Sequence, residues 1–214
     1  MNCSDAMRVK ICGITSLEDA LAACEAGADA LGFNFAEEAM ARNRYISPDA
    51  AEQIIGQLPP FVKTVAVCVN PRPAEVTRYL GFVDCIQFHG EESPQDCAQA
   101  GVRALKAFRL HPDFVAEQVL AYPGRACLVD AYVPDTRGGS GKTCDWAAAR
   151  RVRALGKPVI LAGGLTPENV SEAIAAVEPS AVDTAGGVES APGRKDHDKL
   201  REFIRNAKAA LSLS

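Results

Sequence analysis

The sequence is short of several things that would each point to a function. Only 6% of its 214 residues are aromatic, with one tryptophan and three histidines. Its eight cysteines (Cys3, Cys12, Cys24, Cys68, Cys85, Cys97, Cys127 and Cys144) are scattered, and no two stand as a C-x-x-C pair. That spacing speaks against zinc ligation, and cysteines set in apolar stretches read as small buried hydrophobes rather than a disulfide framework. No metal is expected. There is no excess of positive charge: 23 Lys+Arg against 27 Asp+Glu leave a net −4, with no basic field for nucleic acid. No apolar run approaches the roughly 20 residues of a membrane span. Met1 to Arg8 lack the basic stretch and apolar core of a signal peptide, so the expected location is the cytoplasm. There is no linker, low-complexity tract or shift of composition, and a single domain over residues 1–214 is expected.

What the sequence does have is an alternation of short apolar runs with amphipathic segments. Strand-like runs fall at residues 9–11, 30–35, 62–68, 85–88, 104–108, 126–131, 159–162 and 181–183. Helical patterns fall between them, at 17–26, 48–57, 74–80, 94–100 and 169–177, with a last helix at about 195–211 and a loose one at 114–120. Ser47-Pro48, Ser93-Pro94 and Thr166-Pro167 each read as a capping hydroxyl followed by proline at the first helical position. Ser16 with Asp19 resembles a capping box. Strand–helix units of about 25 residues fill the chain, and continuous apolar strands imply a parallel sheet buried on both faces. The count favours an α/β fold of the (β/α)8 TIM-barrel type over an open doubly wound sheet.

In such a barrel the reactive residues stand at the C-terminal ends of the strands. Cys12 ends the first run, Gln87 and His89 flank the end of the fourth, Asp130 ends the sixth and Asp183 the eighth. A cysteine among apolar neighbours is most often a packing residue. At a barrel mouth, however, helix N-termini favour negative charge and lower a thiol pKa, and Lys10 adds to this if it faces the same side. Asp130 reads as a cap or ion-pair partner, or as a partly desolvated carboxyl whose raised pKa suits a general acid. Gly163-Gly164 and Gly186-Gly187 follow strands seven and eight, where many (β/α)8 enzymes hold a phosphate on bare backbone amides. Tight turns explain one such pair; two on adjacent strands favour phosphate. Gly141-Lys142-Thr143 imitates the end of a P-loop, but the motif's first glycine would fall on Thr136. The stretch Gly138-Gly139-Ser140-Gly141 reads instead as an active-site loop. Arg42 and Arg44 lie in the second βα loop, within reach of the mouth.

Taken together and in order, several stretches resemble the phosphoribosylanthranilate isomerase family. They are Val9-Lys10-Ile11-Cys12-Gly13-Ile14-Thr15, Gly27-Ala28-Asp29-Ala30-Leu31-Gly32-Phe33, Gln87-Phe88-His89-Gly90-Glu91, Val129-Asp130-Ala131-Tyr132, Gly138 to Thr143, Leu161 to Val170, and Gly187-Val188-Glu189 with Pro192-Gly193 and Lys195-Asp196. The resemblance spans about residues 8–207. It implies an aldose–ketose isomerase of tryptophan biosynthesis that performs an Amadori rearrangement of N-(5-phosphoribosyl)anthranilate without a cofactor. By matched position, Asp130 is the general acid and Cys12 the general base. Arg44, Lys10, Gln87, His89, Gly141 and Asp183 bind substrate, and Gly163, Gly164, Gly186 and Gly187 bind its phosphate. The implied partner is a small phosphosugar, and the chain is a monomer or homodimer. Residues 1–7 read as a flexible N-terminal extension.

Two departures from the family pattern stand out. Ala41-Arg42-Asn43-Arg44-Tyr45 replaces the usual Ser-Pro-Arg run, in a loop a few residues longer. Ala185-Gly186 replaces a serine pair, which preserves backbone but not hydroxyl contacts to phosphate. A related sugar isomerase of histidine biosynthesis is the second reading, but it carries aspartate where this chain has Cys12. A non-catalytic phosphosugar-binding or redox-responsive protein is the third. Retention of Cys12 with Asp130 speaks against the former, and the lack of a nearby resolving cysteine against the latter.

Overall fold

The structure, a computed structural model, describes residues 7–131 and 144–210. Its centre is a closed barrel in which β1 to β8 follow one another in order, every neighbouring pair parallel. The strands are β1 (Arg8–Cys12), β2 (Ala30–Asn34), β3 (Lys63–Cys68), β4 (Cys85–Phe88), β5 (Ala104–Leu110), β6 (Cys127–Ala131), β7 (Val159–Leu161) and β8 (Ala181–Thr184). Each of the eight apolar runs forms one of them. The helices are α1 (Leu17–Glu25), α2 (Pro48–Ile55), α3 (Pro73–Tyr79), α4 (Pro94–Ala98), α5 (Trp146–Ala154), α6 (Val170–Val177) and α7 (His197–Ala209). The fold is therefore the (β/α)8 barrel that the sequence pattern favoured.

Strand periodicity of two divides the core into layers. Leu105 and Ala107 of β5 meet Leu128 of β6, Ala162 and Ile160 in the barrel interior. Alternate residues such as Ile11, Leu31, Val129 and Val182 face outward and share a buried cluster with helix residues such as Phe203 and Ile204 of α7. Met7, expected within the flexible extension, is buried in this outer layer, while residues 1–6 lie outside the described residues.

Helix boundaries follow local chemistry. Ser47 and Ser93 cap α2 and α4 through their hydroxyls, with proline at the next position. Thr166-Pro167 does not start α6. Asn169 Oδ1 accepts the Thr166 amide at 2.8 Å, which holds a turn, and the helix begins only at Val170. Ser16 caps α1, but Asp19 does not complete the box, because its carboxylate is drawn to the Lys195 amide and His197 Nε2. The loose pattern after β5 becomes a 3-10 helix at Ala116–Ala121, in a segment bounded by Pro112 and Pro123. A second 3-10 helix, Glu37–Arg42, follows β2 and accounts for the long loop there. After β8 a 3-10 turn, Gly186–Val188, leads into a small antiparallel hairpin of β9 (Glu189–Ala191) and β10 (Arg194–Lys195).

Candidate active site

A cavity of about 440 Å³ opens at the C-terminal ends of the strands. Cys12, Arg44, Gln87, His89, Asp130, Gly163, Gly164, Asp183, Gly186 and Gly187 all line it. Most of the expected site residues thus converge from six strands or their following loops. Two do not. Gly141 lies outside the described residues. Lys10 is buried beneath the mouth rather than lining it.

The floor on one side is a charged pair. Lys10 of β1 is in register with Asp183 of β8, and its Nζ donates to Asp183 Oδ1 at 2.9 Å. Lys10 also interacts with the thiol of Cys12, two residues along on the same face of β1. Burial works against its charge, but Asp183 and Cys12 outweigh it, and Lys10 is pushed up to about 12. The Cys12 thiol itself is pushed up, by burial first and by Asp183, while Lys10 and Lys195 pull it down. This reverses the expected depression: the thiol enters a low-dielectric floor, and desolvation exceeds the help from its neighbouring cations. Gly32 of β2 makes room for this arrangement, since a Cβ there would stand 2.8 Å from Cys12 Sγ.

On the other side stands Asp130 of β6. Its Oδ1 accepts the Ala131 amide at 2.7 Å. Its Oδ2 stands 3.5 Å from His89 Nε2, and Nδ1 of the same imidazole lies 3.0 Å from Gln87 Nε2. Gly163, at φ +88°, passes so close that a Cβ would lie 2.9 Å from Asp130 Oδ1 and 2.5 Å from the Ala131 amide nitrogen. Only glycine lets the β7 turn pack there.

The mouth is crossed by an arginine fork. Arg44 Nε donates to Glu189 Oε1 at 2.9 Å, and Nη2 donates to Oε2 at 2.7 Å. This is the bidentate geometry in which arginine differs most from lysine. The Arg44 amide is held by Ala39 of the 3-10 helix Glu37–Arg42, so the altered loop still delivers Arg44 to the cavity. Lys195 Nζ, wholly buried, donates to Glu189 Oε1, to the Cys12 carbonyl and to the Ala185 carbonyl. Burial pulls Lys195 down, and its cationic neighbours hold Glu189 below the ordinary carboxylate range. Sequence reasoning quoted Glu189 and Lys195 as motif residues without giving them a role. A signal was present, because two opposite charges follow the eighth strand, but nothing local shows that a hairpin folds them back onto Cys12.

The β7 and β8 turns supply amides. Gly163 and Gly164 donate no backbone hydrogen bond among the described residues. Gly186 and Gly187 open a 3-10 turn, where the first N–H groups have no partner within the helix. Gly187 has a packing reason as well, since a Cβ there would fall 1.9 Å from the Leu165 carbonyl oxygen.

Residues 9–206 match the family described as N-(5'phosphoribosyl)anthranilate (PRA) isomerase. The chain belongs to that family. The N-(5'-phosphoribosyl)anthranilate isomerase of Trichlorobacter lovleyi is 51% identical over 210 residues, which is 96% of this chain and all of the relative. That of Geobacter metallireducens is 53% identical over 205 residues, 95% of this chain and all of the relative. The solved phosphoribosyl anthranilate isomerase from Thermotoga maritima superposes with a TM-score of 0.85 at 44% identity, covering 95% of this chain and 99% of that one. A further solved phosphoribosyl anthranilate isomerase, TM-score 0.81 and 41% identical over 95% of this chain and 99% of that one, is in complex with reduced 1-(o-carboxyphenylamino)-1-deoxyribulose 5-phosphate. As a PRA isomerase family member, the chain is an isomerase of tryptophan biosynthesis.

Proposed function

We propose that this chain converts N-(5'-phosphoribosyl)anthranilate to 1-(2-carboxyphenylamino)-1-deoxyribulose 5-phosphate by general acid–base catalysis, with Asp130 as acid and Cys12 as base. The observation that carries this assignment is their placement. They line one cavity from β6 and β1, and the intervening strands β7 and β8 end in the glycine turns. A 5-phosphate seated on the amides of Gly163, Gly164, Gly186 and Gly187 leaves the sugar between acid and base. Asp130 protonates the furanose ring oxygen as the bond from that oxygen to C1 breaks, and the anthranilate nitrogen lone pair forms an iminium bond to C1. The cation acidifies the C2 hydrogen, which the Cys12 thiolate takes. The C2–H electrons form the enolamine, and protonation at C1 with loss of the C2 hydroxyl proton yields the ketone. Arg44 holds the anthranilate moiety by charge or stacking. No cofactor is needed, because the oxidation at C2 and reduction at C1 balance within one molecule.

Two further readings accompany this one. The described cysteines are all free thiols, which fits a reducing cytoplasm. A solved structure concerns monomers generated from the dimeric enzyme of Thermotoga maritima, and we place this chain likewise as monomer or homodimer.

The test is turnover of phosphoribosylanthranilate, followed by anthranilate fluorescence, by wild type, Cys12→Ala and Asp130→Asn. Wild type is expected to turn over and Cys12→Ala to be inactive. Asp130→Asn is expected to lose at least the roughly 100-fold typical of a missing general acid. Near-normal turnover by Cys12→Ala, free of host enzyme, would overturn Cys12 as the base.

A further inference from the structure

Gln87 and His89 line the cavity together, and both were expected to bind substrate. Their geometry gives them a different partner. Gln87 is fully buried at the end of β4, in register with Val67 of β3. Its amide nitrogen lies 3.0 Å from His89 Nδ1. With the Gln87 amide nitrogen facing the ring, its N–H donates, Nδ1 presents its lone pair, and the proton of a neutral imidazole resides on Nε2. Nε2 is buried, has no hydrogen bond of its own among the described residues, and stands 3.5 Å from Asp130 Oδ2. At that separation the two groups are adjacent without a hydrogen bond between them. The other oxygen of Asp130 is already occupied by the Ala131 amide.

The backbone around His89 is fixed independently of the cavity. The His89 amide donates to the Cys68 carbonyl at 2.8 Å. Glu92 accepts from the amides of Gly90 and Asn70 and from Lys106 Nζ, which clamps the turn that follows. The imidazole is therefore carried on a rigid support, and its tautomer is set from behind by Gln87.

We propose that Gln87 and His89 are positioning residues for Asp130: the Gln87 amide pins His89 as the Nε2–H tautomer, and that N–H receives the Asp130 carboxylate left when the acid gives up its proton. The proposal rests on Asp130 being the acid. No proton passes along the chain of residues. The ring oxygen of the sugar takes the Asp130 proton, and His89 keeps its own, supplying a donor to the charge that develops on Oδ2. A preorganised donor of this kind acts on the ionised product of the transfer more than on the bound substrate. Loss of Gln87 should accordingly show in kcat rather than KM.

Two measurements test this arrangement. The first is 15N NMR of histidine-labelled enzyme, with His89→Gln assigning the His89 signals among three histidines. Wild type should show the Nε2–H tautomer, and Gln87→Met should show a mixture. An Nδ1–H tautomer in wild type overturns the proposal. The second is a kinetic cycle. Gln87→Met, which keeps the length and loses the donor, should lower kcat roughly tenfold, as expected for a hydrogen bond serving a charged group, with little change in KM. In an Asp130→Asn background the same change should cost less than twofold, since the group it serves is gone. A full additive loss there, or a rise in KM with kcat unchanged, makes Gln87 a substrate contact and overturns the proposal. Wild-type turnover by Asp130→Asn alone would instead sink the acid assignment on which the proposal rests, and the two failures are told apart by that single variant.

Discussion

Lys10 donates to Asp183 across 2.9 Å on the barrel floor, and the same ammonium serves the Cys12 thiol above it. One cation thus stands between the Asp183 carboxyl and the thiol proposed as the base. Because Lys10 is pushed up to about 12, it stays charged wherever the enzyme works. Burial holds the Cys12 thiol above its ordinary value, so the thiolate fraction should still be rising at alkaline pH. Replacing Lys10 by Met removes the largest influence pulling the thiol down. In Lys10→Met, both the iodoacetamide reactivity of Cys12 and the base limb of kcat/KM should shift to higher pH than in wild type. An unmoved profile would mean that Lys10 serves only Asp183.

The Arg44–Glu189 fork leads to a comparison of neighbours. Arg44→Ala should raise KM far more than Arg42→Ala, measured by steady-state kinetics on phosphoribosylanthranilate. If Arg42→Ala is the damaging change, the loop has been matched to the wrong arginine. Glu189 adds a pH signature. Its folded value lies below the ordinary carboxylate range, so protons bind the unfolded chain first as the pH falls. Its stabilising contribution is present above the ordinary glutamate value and is lost as pH drops through the folded one. Glu189→Gln should flatten the acid side of the stability curve, read from urea midpoints at several pH values.

The barrel was legible because its signal is local. Eight apolar runs gave eight strands, and period two then aimed Cys12 and Asp130 inward. The fork from Arg44 to Glu189 and the buried Lys195 were not legible, because they depend on a hairpin after β8 folding onto the end of β1. The direction of the Cys12 shift was missed for a similar reason. Helix N-termini can be inferred from sequence, but the desolvation at the thiol depends on packing from β2 and β8. Thr166-Pro167 failed as a helix start because Asn169, three residues on, holds a turn that no propensity predicts.

The glycine turns separate two roles that coincide in sequence. A Cβ at Gly187 would meet the Leu165 carbonyl oxygen at 1.9 Å, so Gly187→Ala must push the backbone apart. It should destabilise by about 1–3 kcal/mol, the scale of overpacking, in urea unfolding. Gly164 is set by its backbone, which needs φ +64°. Gly164→Val should raise KM and weaken competitive inhibition by inorganic phosphate. An unchanged inhibition constant would put the phosphate elsewhere.

Glu92 and Lys106 make a buried ion pair at 2.8 Å, and the wider network decides how it responds to mutation. Breaking a buried pair leaves an uncompensated charge and costs about 3–5 kcal/mol, whereas replacing both members by apolar residues is often neutral. Neutrality is not expected here. Glu92 also accepts the Asn70 amide at 2.7 Å and the Gly90 amide at 2.9 Å, so its loss orphans two backbone donors whatever happens at Lys106. Lys106→Met leaves the Glu92 carboxylate without its cation but still held by both amides, and it frees the Gly90 carbonyl, which Lys106 Nζ contacts at 2.6 Å. The expected order of stability in urea is therefore wild type, then Lys106→Met, then Glu92→Ala, with the Glu92→Leu, Lys106→Met double variant above Glu92→Ala, because no buried ammonium is left unpaired, but still short of wild type. Recovery of wild-type stability by the double variant would show that the ion pair, and not the clamp on Asn70 and Gly90, is what Glu92 contributes.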